Sequence, residues 1–269
     1  MLGIVLQKGD DKLLGALALQ KCKDFTVYLP FGDPAEADYA AHLTIRHGNW
    51  QDVQEELVCL LEAGALPDKT FVKRILRTAR RHGEFDVYHV NIPGHKPLPR
   101  KADTRKVFQR CIASGTPAPL SSFIFRTARL KEKAVFKADG SLEPLSTVLA
   151  CAADRPVRNV WWQKLDYEAP EVGNDPAAQE ALIRERLDLF RWTENFFGDD
   201  NYPLSVGDQL DLFAAEVARL YPSYTPEELK ELMGSFQVAQ GTVRKMRASS
   251  ALKGALKQRQ KELQQPSSS

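Results

Sequence analysis

The chain of 269 residues has little net charge, few cysteines and no long apolar segment. A formal net charge of +2 is too small to indicate a nucleic-acid partner. Its four cysteines include no CxxC pair, which argues against a zinc site and fits a reducing compartment. The apolar run at residues 2–6 is too short for a signal peptide or a membrane span. These features predict a globular protein of the cytoplasm with no nucleic-acid partner.

Several common catalytic signatures are also absent. The sequence contains no GxxxxGK[ST], GxGxxG, HExxH or GxSxG motif. Nucleotide hydrolysis by a P-loop, Rossmann redox chemistry, zincin proteolysis and hydrolase-elbow chemistry therefore lack support.

What is present is an alternation of strand and helix patterns up to about residue 173. β-branched and aromatic runs indicate strands, and apolar residues at helical spacing indicate helices. The pattern predicts strands at 3–7, 25–29, 42–45, 57–61, 85–91, 121–125 and 157–162. Helices are predicted at 12–21, from Gln51 into the fourth strand, and at 70–82, 105–113 and 145–153. This order predicts an α/β domain over residues 1–173, with a mostly parallel sheet flanked by helices.

The remaining residues, 174–269, have a different character. Three helical patterns, at 177–197, 204–221 and 225–263, predict an all-helical C-terminal region with a basic tail. Leucines and other apolar residues separate the basic residues of the last segment. Such a helix suits an anionic membrane surface or a protein partner, and it equally suits an exposed terminal helix. A peripheral membrane association therefore stays open beside the cytoplasmic one.

The order of these segments resembles family 2 glycosyltransferases of the GT-A type. Residues 4–7, 13–17 and 24–33 follow the family's opening strand, helix and second strand, and residues 62–68 occupy the place of its metal-binding Asp-x-Asp. Residues 83–88, 121–126 and 160–165 follow its later strands, and Glu143-Pro144 occupies the place of its Glu-Asp pair. The resemblance covers roughly residues 3–173.

The resemblance implies a set of site residues. Asp33 corresponds to the nucleotide-binding acids, and Glu62 to the first metal ligand, whereas Gly64 replaces the second. This leaves binding of Mn²⁺ or Mg²⁺ open. Because Pro144 cannot accept a proton, Glu143 becomes the candidate general base. Three further candidates for donor binding are Lys101 and Arg105 on a basic loop, for the diphosphate, and Trp161, for stacking on a base or sugar.

Two functions are compatible with these residues. The first is a glycosyltransferase-like enzyme that transfers a sugar from a nucleotide-sugar donor to a glycan or protein acceptor, as in the building of a bacterial surface glycan. The second is a catalytically inactive glycosyltransferase-fold scaffold or binding protein, because several family carboxylates are replaced. The replaced carboxylates at residues 62–64 and 143–144 distinguish the two functions and favour the second.

Overall fold

The computed structural model describes residues 1–7, 9–30, 36–95, 97–113, 119–137 and 139–168, together with 189, 192, 193 and 195–198. The chain divides into two compact units, Met1–Glu171 and Val172–Ser269. The first unit contains the sheet and nearly all the described residues, and the candidate site lies within it.

The described part of the first unit contains nine strands and six α-helices. The strands are β1 (Leu2–Leu6), β2 (Phe25–Leu29), β3 (Ile45–His47), β4 (Leu57–Leu61), β5 (Ala65–Pro67), β6 (Val87–Asn91), β7 (Lys101–Ala102), β8 (Phe123–Arg126) and β9 (Val157–Tyr167). The helices are α1 (Asp11–Ala18), α2 (Glu36–Tyr39), α3 (Phe71–Arg81), α4 (Thr104–Ala113), α5 (Thr127–Lys133) and α6 (Pro144–Cys151). A short 3₁₀ turn, Leu120–Ser122, leads into β8.

All nine strands form one mixed sheet in the order β3-β2-β1-β4-β8-β6-β9-β5, with β7 also paired to β9. Strands β1 to β4 are parallel, and β6 runs with them because both β4 and β6 are antiparallel to β8. Strand β9 is parallel to β6, so six of the nine strands share one direction. The predicted α/β fold with a mostly parallel sheet flanked by helices is confirmed.

The sheet is buried on both faces, and this explains the near-continuous apolar runs of its central strands. All five residues of β1 and all five of β2 are buried. One face packs against α1 and α3, whose apolar stripes include Leu14 and Ile75. Capping of α1 fixes where this layer begins, because Asp10 accepts a hydrogen bond from the backbone N–H of Leu13.

The helix predicted to start at Gln51 is wrong. Residues 51–56 form turns, bends and irregular backbone and contain no helix. Val53 is fully buried against Gly3, where a Cβ would come within 2.5 Å of the valine side chain. The carboxylate of Glu55 accepts a hydrogen bond from the Tyr28 hydroxyl at 2.7 Å. These long-range contacts outweigh the local helical periodicity.

The predicted C-terminal helices lie almost wholly outside the described residues. The few described residues of the second unit are helical up to Phe197, and the rings of Trp192 and Phe196 stack with centroids 5.0 Å apart. The basic segment at residues 243–263 is not described. In the described part of the chain, no helix has the length and apolar character that a membrane crossing requires.

Candidate functional site

The carboxyl ends of the parallel strands meet at one edge of the sheet, which we call the carboxyl edge. Strands β1, β4 and β6 end there at Leu6, Leu61 and Asn91. Open α/β sheets bind ligands at this edge, because the loops that leave the strands surround a crevice there. The predicted nucleotide-binding Asp33 follows β2 but lies outside the described residues.

Glu62 is the described acidic residue directly after β4, and the buried Ser121 holds its side chain. The Ser121 hydroxyl lies 3.0 Å from Oε2 of Glu62 and accepts a hydrogen bond of 2.8 Å from the Glu62 backbone N–H. Burial together with the negative charge of Glu62 raises the pKa of Tyr167 to about 12. Glu62 therefore presents one oriented, half-buried carboxylate at the carboxyl edge.

Gly64 lies two residues further on, and its place in the fold explains why a carboxylate is missing there. Its φ is +86°, in the left-handed region that favours glycine. A Cβ at this position would lie 2.2 Å from the backbone oxygen of Glu168. The Gly64 carbonyl in turn accepts a hydrogen bond from the Glu168 N–H at 3.1 Å. The pairing of β5 with β9 thus requires glycine where the resemblance places a metal ligand.

This geometry does not fit a divalent ion held between two carboxylates. Hard cations such as Mg²⁺ and Mn²⁺ require several oxygen ligands around one point. Glu62 supplies one carboxylate, one of whose oxygens already accepts from Ser121. Within the described ranges, no three His, Cys, Asp or Glu side chains are grouped so that they could hold a metal ion.

Glu143, the predicted general base, forms the N-terminal cap of α6. Its carboxylate accepts a hydrogen bond from the backbone N–H of Ser146, and Pro144 occupies the first turn. A bridge between Phe136 and Leu142 holds the segment before the cap. The Phe136 ring lies 6.1 Å from that of Trp50, which follows the carboxyl end of β3. The segment that carries Glu143 therefore contacts a loop of the carboxyl edge.

A second region of the domain is an open cleft between α3 and the first half of β9. It has a volume of about 970 Å³. Five arginines line it together with His82 and Trp161; we call it the arginine cleft, and its arginines are Arg74, Arg77, Arg81, Arg100 and Arg158. Among the described residues that line it, none is acidic.

Two of the residues predicted for donor binding, Trp161 and Lys101, lie at this cleft or beside it. Trp161 lines the cleft, and its side chain is half-exposed. Lys101 follows Arg100 on β7, with its ammonium 5.3 Å from the centre of the Phe85 ring. Arg105 is exposed on the first turn of α4. The structure therefore brings Trp161 and Lys101 to one side of the sheet.

Lys101 is far from Glu62. Lys101 pairs with Arg158 of β9, and the path back to β4 passes through β6 and β8. Four strand spacings correspond to roughly 19 Å. The phosphates of one diphosphate group span far less than this distance, so a diphosphate at Glu62 would not contact Lys101. The predicted site residues thus divide into two groups.

Comparison with known proteins identifies the fold. No family model matches the sequence. No curated protein matches it either. Among solved structures, that of S. aureus TarS 1–349 in complex with UDP aligns with a TM-score of 0.58 at 13% identity, over 98% of this chain and 91% of that one.

Two further TarS structures give the same result. TarS 1–349 in complex with UDP-GlcNAc aligns with a TM-score of 0.53 at 14% identity, over 98% of this chain and 91% of that one. A longer S. aureus TarS structure also gives 0.53 at 14% identity, over 97% of this chain and 55% of that chain. This similarity shows that the chain has the GT-A-type glycosyltransferase fold.

Sequence reasoning missed most of the arginine cleft. Arg74, Arg77 and Arg81 of α3 do recur at helical spacing and form one stripe. That spacing is a signal the sequence does carry. The buried Arg158 could not have been found in this way, because only the pairing of β9 with β6 places it opposite the end of α3.

Proposed function

We propose that the chain is a glycosyltransferase-like protein that binds a nucleotide-sugar donor at the carboxyl edge of its sheet. The observation that carries this proposal is the GT-A-type fold, aligned over nearly the whole chain with TarS structures that contain UDP and UDP-GlcNAc. The carboxyl edge, where folds of this kind open a crevice, also carries Glu62.

In this proposal Glu62 is the polar group that orients the donor. Ser121 fixes the direction of its carboxylate, and the second carboxylate oxygen remains available to accept a hydrogen bond from a ribose or sugar hydroxyl. The role does not require a metal ion, and the local geometry at Gly64 offers no second carboxylate for one. Asp33 is proposed as the partner of Glu62 in nucleotide binding, on the basis of the family resemblance.

Glu143 is proposed as the general base that takes the proton from the acceptor hydroxyl. This role is supported by the contact of its segment with Trp50 beside the carboxyl edge. In the described structure one oxygen of its carboxylate caps α6 by accepting from Ser146. The other carboxylate oxygen would therefore take the proton from the acceptor hydroxyl. Lys101 has no part in a donor site at Glu62, because four strand spacings separate the two residues.

The test is a titration of the full chain with UDP and with UDP-sugars in which the melting temperature is measured. A ligand that binds the native state raises the melting temperature. We expect a rise that does not depend on Mn²⁺. Glu62→Ala is expected to remove the rise, whereas the control Glu84→Ala, an exposed acid outside the carboxyl edge, keeps it. If none of the nucleotides or nucleotide sugars shifts the melting temperature, the proposal fails and the scaffold function replaces it.

A further inference from the structure

The arginine cleft is a concentration of positive charge in which four of the five arginines form no ion pair within the described part of the chain. None of Arg77, Arg81, Arg100 and Arg158 forms an ion pair there. The neighbouring Arg80 of the same helix behaves differently, because it pairs with Asp24 at 3.4 Å. The stripe of α3 that faces the cleft is thus distinct from the rest of the helix surface.

Arg158 is the most unusual member of the set. Only 6% of its surface is exposed, and its Nε has no hydrogen-bond partner among the residues that the structure describes. Its guanidinium group lies over the Phe85 ring, at 5.7 Å from the centroid, and donates to Nε2 of His82 at 2.9 Å. Burying a charged group without an opposite charge is costly, so the free protein carries an electrostatic penalty here.

The titration behaviour of the cleft agrees with this penalty. Burial and the nearby Arg100 lower the pKa of Arg158. Burial and the positive charges of Arg158, Arg100 and Lys101 lower the pKa of His82, against a smaller opposite effect of Glu84. Both shifts reflect burial together with an excess of positive charge, and a bound anion would reduce that excess.

The dimensions of the cleft exceed those of a single phosphate. Arg74 and Arg81 are seven residues apart on α3, which corresponds to about 10 Å along the helix axis. The guanidinium group of arginine is a planar fork that suits phosphate oxygens, and several forks in a row suit several phosphates. The cleft is open enough for a chain to lie along it, and Trp161 offers an aromatic face at one side.

We propose that the arginine cleft is a binding site for a soluble, linear ligand that bears two or more phosphate groups. Arg77, Arg81 and Arg100 contact the phosphates from the rim, and Arg158 supplies a buried positive charge at the wall. The site is separate from the donor site proposed at Glu62, because Arg158 lies in the first half of β9, which pairs with β6, whereas the part of β9 beside Glu62 is its end, Leu165–Tyr167, which pairs with β5.

The experiment is calorimetric titration of the full chain with tripolyphosphate and with orthophosphate at one ionic strength. We expect tripolyphosphate to bind at least about tenfold more tightly, because more than one arginine then contacts the ligand. Arg77→Gln and Arg81→Gln are each expected to weaken it about tenfold. Both side chains are exposed, so the folded state should tolerate these substitutions.

Arg80→Gln is the matched control, since Arg80 also lies in the last turn of α3 but pairs with Asp24 away from the cleft. It is expected to change the affinity less than about twofold. Equal losses for Arg80→Gln and Arg77→Gln would show general attraction to a basic surface and overturn the proposal, as would equal affinities for the two phosphates. Competition between UDP and tripolyphosphate for one site would also overturn it, whereas independent binding supports it.

Discussion

Arg158 donates a hydrogen bond from its guanidinium group to Nε2 of His82, at 2.9 Å, and so joins β9 to the end of α3. Arginine has no acceptor, so His82 must accept with Nε2 and carry its proton on Nδ1. The Nδ1 atom lies 3.8 Å from the carboxylate of Glu84. His82 is therefore neutral while this contact exists, and protonation would break it.

This relationship predicts that the protein loses stability in mild acid. The pKa of His82 is lowered by burial and nearby cations, and burial lowers the pKa of His89 to about 3. In the unfolded chain a histidine titrates near 6.5. The stability that these neutral histidines contribute is present in full above about pH 6.5. It is lost as the pH falls below that value towards the folded pKa.

For His89 alone, the loss is of the order of 2 kcal/mol at pH 5. The measurement is the free energy of unfolding in urea between pH 7.5 and pH 5. His89→Gln should be less stable at pH 7.5 but should flatten the pH dependence, whereas substitution of the exposed His42 should leave the slope unchanged. A slope that persists in His89→Gln would show that other groups cause the acid sensitivity.

A second prediction concerns Gly64. Gly64→Ala should destabilise the fold through two effects, the positive φ and the close approach of the Glu168 carbonyl. Gly94→Ala is the matched control, because Gly94 has a φ of +83° and no atom of the described residues lies within 4 Å of the position that its Cβ would take. The control should cost about 1 kcal/mol and Gly64→Ala at least about 2 kcal/mol more, measured by chemical denaturation.

The same site predicts the effect of restoring the missing carboxylate. Gly64→Asp should destabilise the fold as strongly as Gly64→Ala and should not produce tight Mn²⁺ binding, because the new side chain meets the backbone of Glu168. Calorimetry with Mn²⁺ and UDP checks this. Stoichiometric, tight metal uptake by a stable Gly64→Asp protein would contradict the steric explanation.

A further prediction separates the two possible roles of Glu143. Glu143→Gln keeps an oxygen that can accept from the Ser146 N–H, so the cap and the stability should be retained. Glu143→Ala should lose the cap at a cost of about 1 kcal/mol. If Glu143 is the base, Glu143→Gln should also reduce turnover by about 10² to 10⁴. Wild-type turnover in Glu143→Gln would show that Glu143 caps α6 and is not the general base.

The sequence was sufficient to predict the layer architecture, because local periodicity and burial agree in most elements. Strand β2 and helix α3 are found where their patterns place them, within one residue at each end. The segment after Gln51 was predicted incorrectly, since its conformation depends on the packing of Val53 on Gly3, more than forty residues away in the chain. Periodicity contains no information about such a contact.

The candidate site was less predictable than the fold. The sequence located Glu62 and noted Gly64, but only the pairing of β5 with β9 shows that Gly64 is required for steric reasons. It also placed Lys101 with Glu62 in one donor site, because adjacent segments of a family pattern do not reveal how many strands separate them. The extension of β9 to Tyr167, beyond the predicted end at residue 162, decides the first point, and the pairing of Lys101 with Arg158 decides the second.

The most direct measurement is backbone hydrogen exchange of the full chain with and without saturating UDP-sugar. The proposed function predicts protection at the carboxyl edge, in residues 61–66 and in the Leu120–Ser122 turn that holds Glu62. The end of α3 and the segment around Arg100 should be unchanged by UDP-sugar and protected by tripolyphosphate. Protection by UDP-sugar at the arginine cleft, with none at residues 61–66, would contradict a donor site at Glu62.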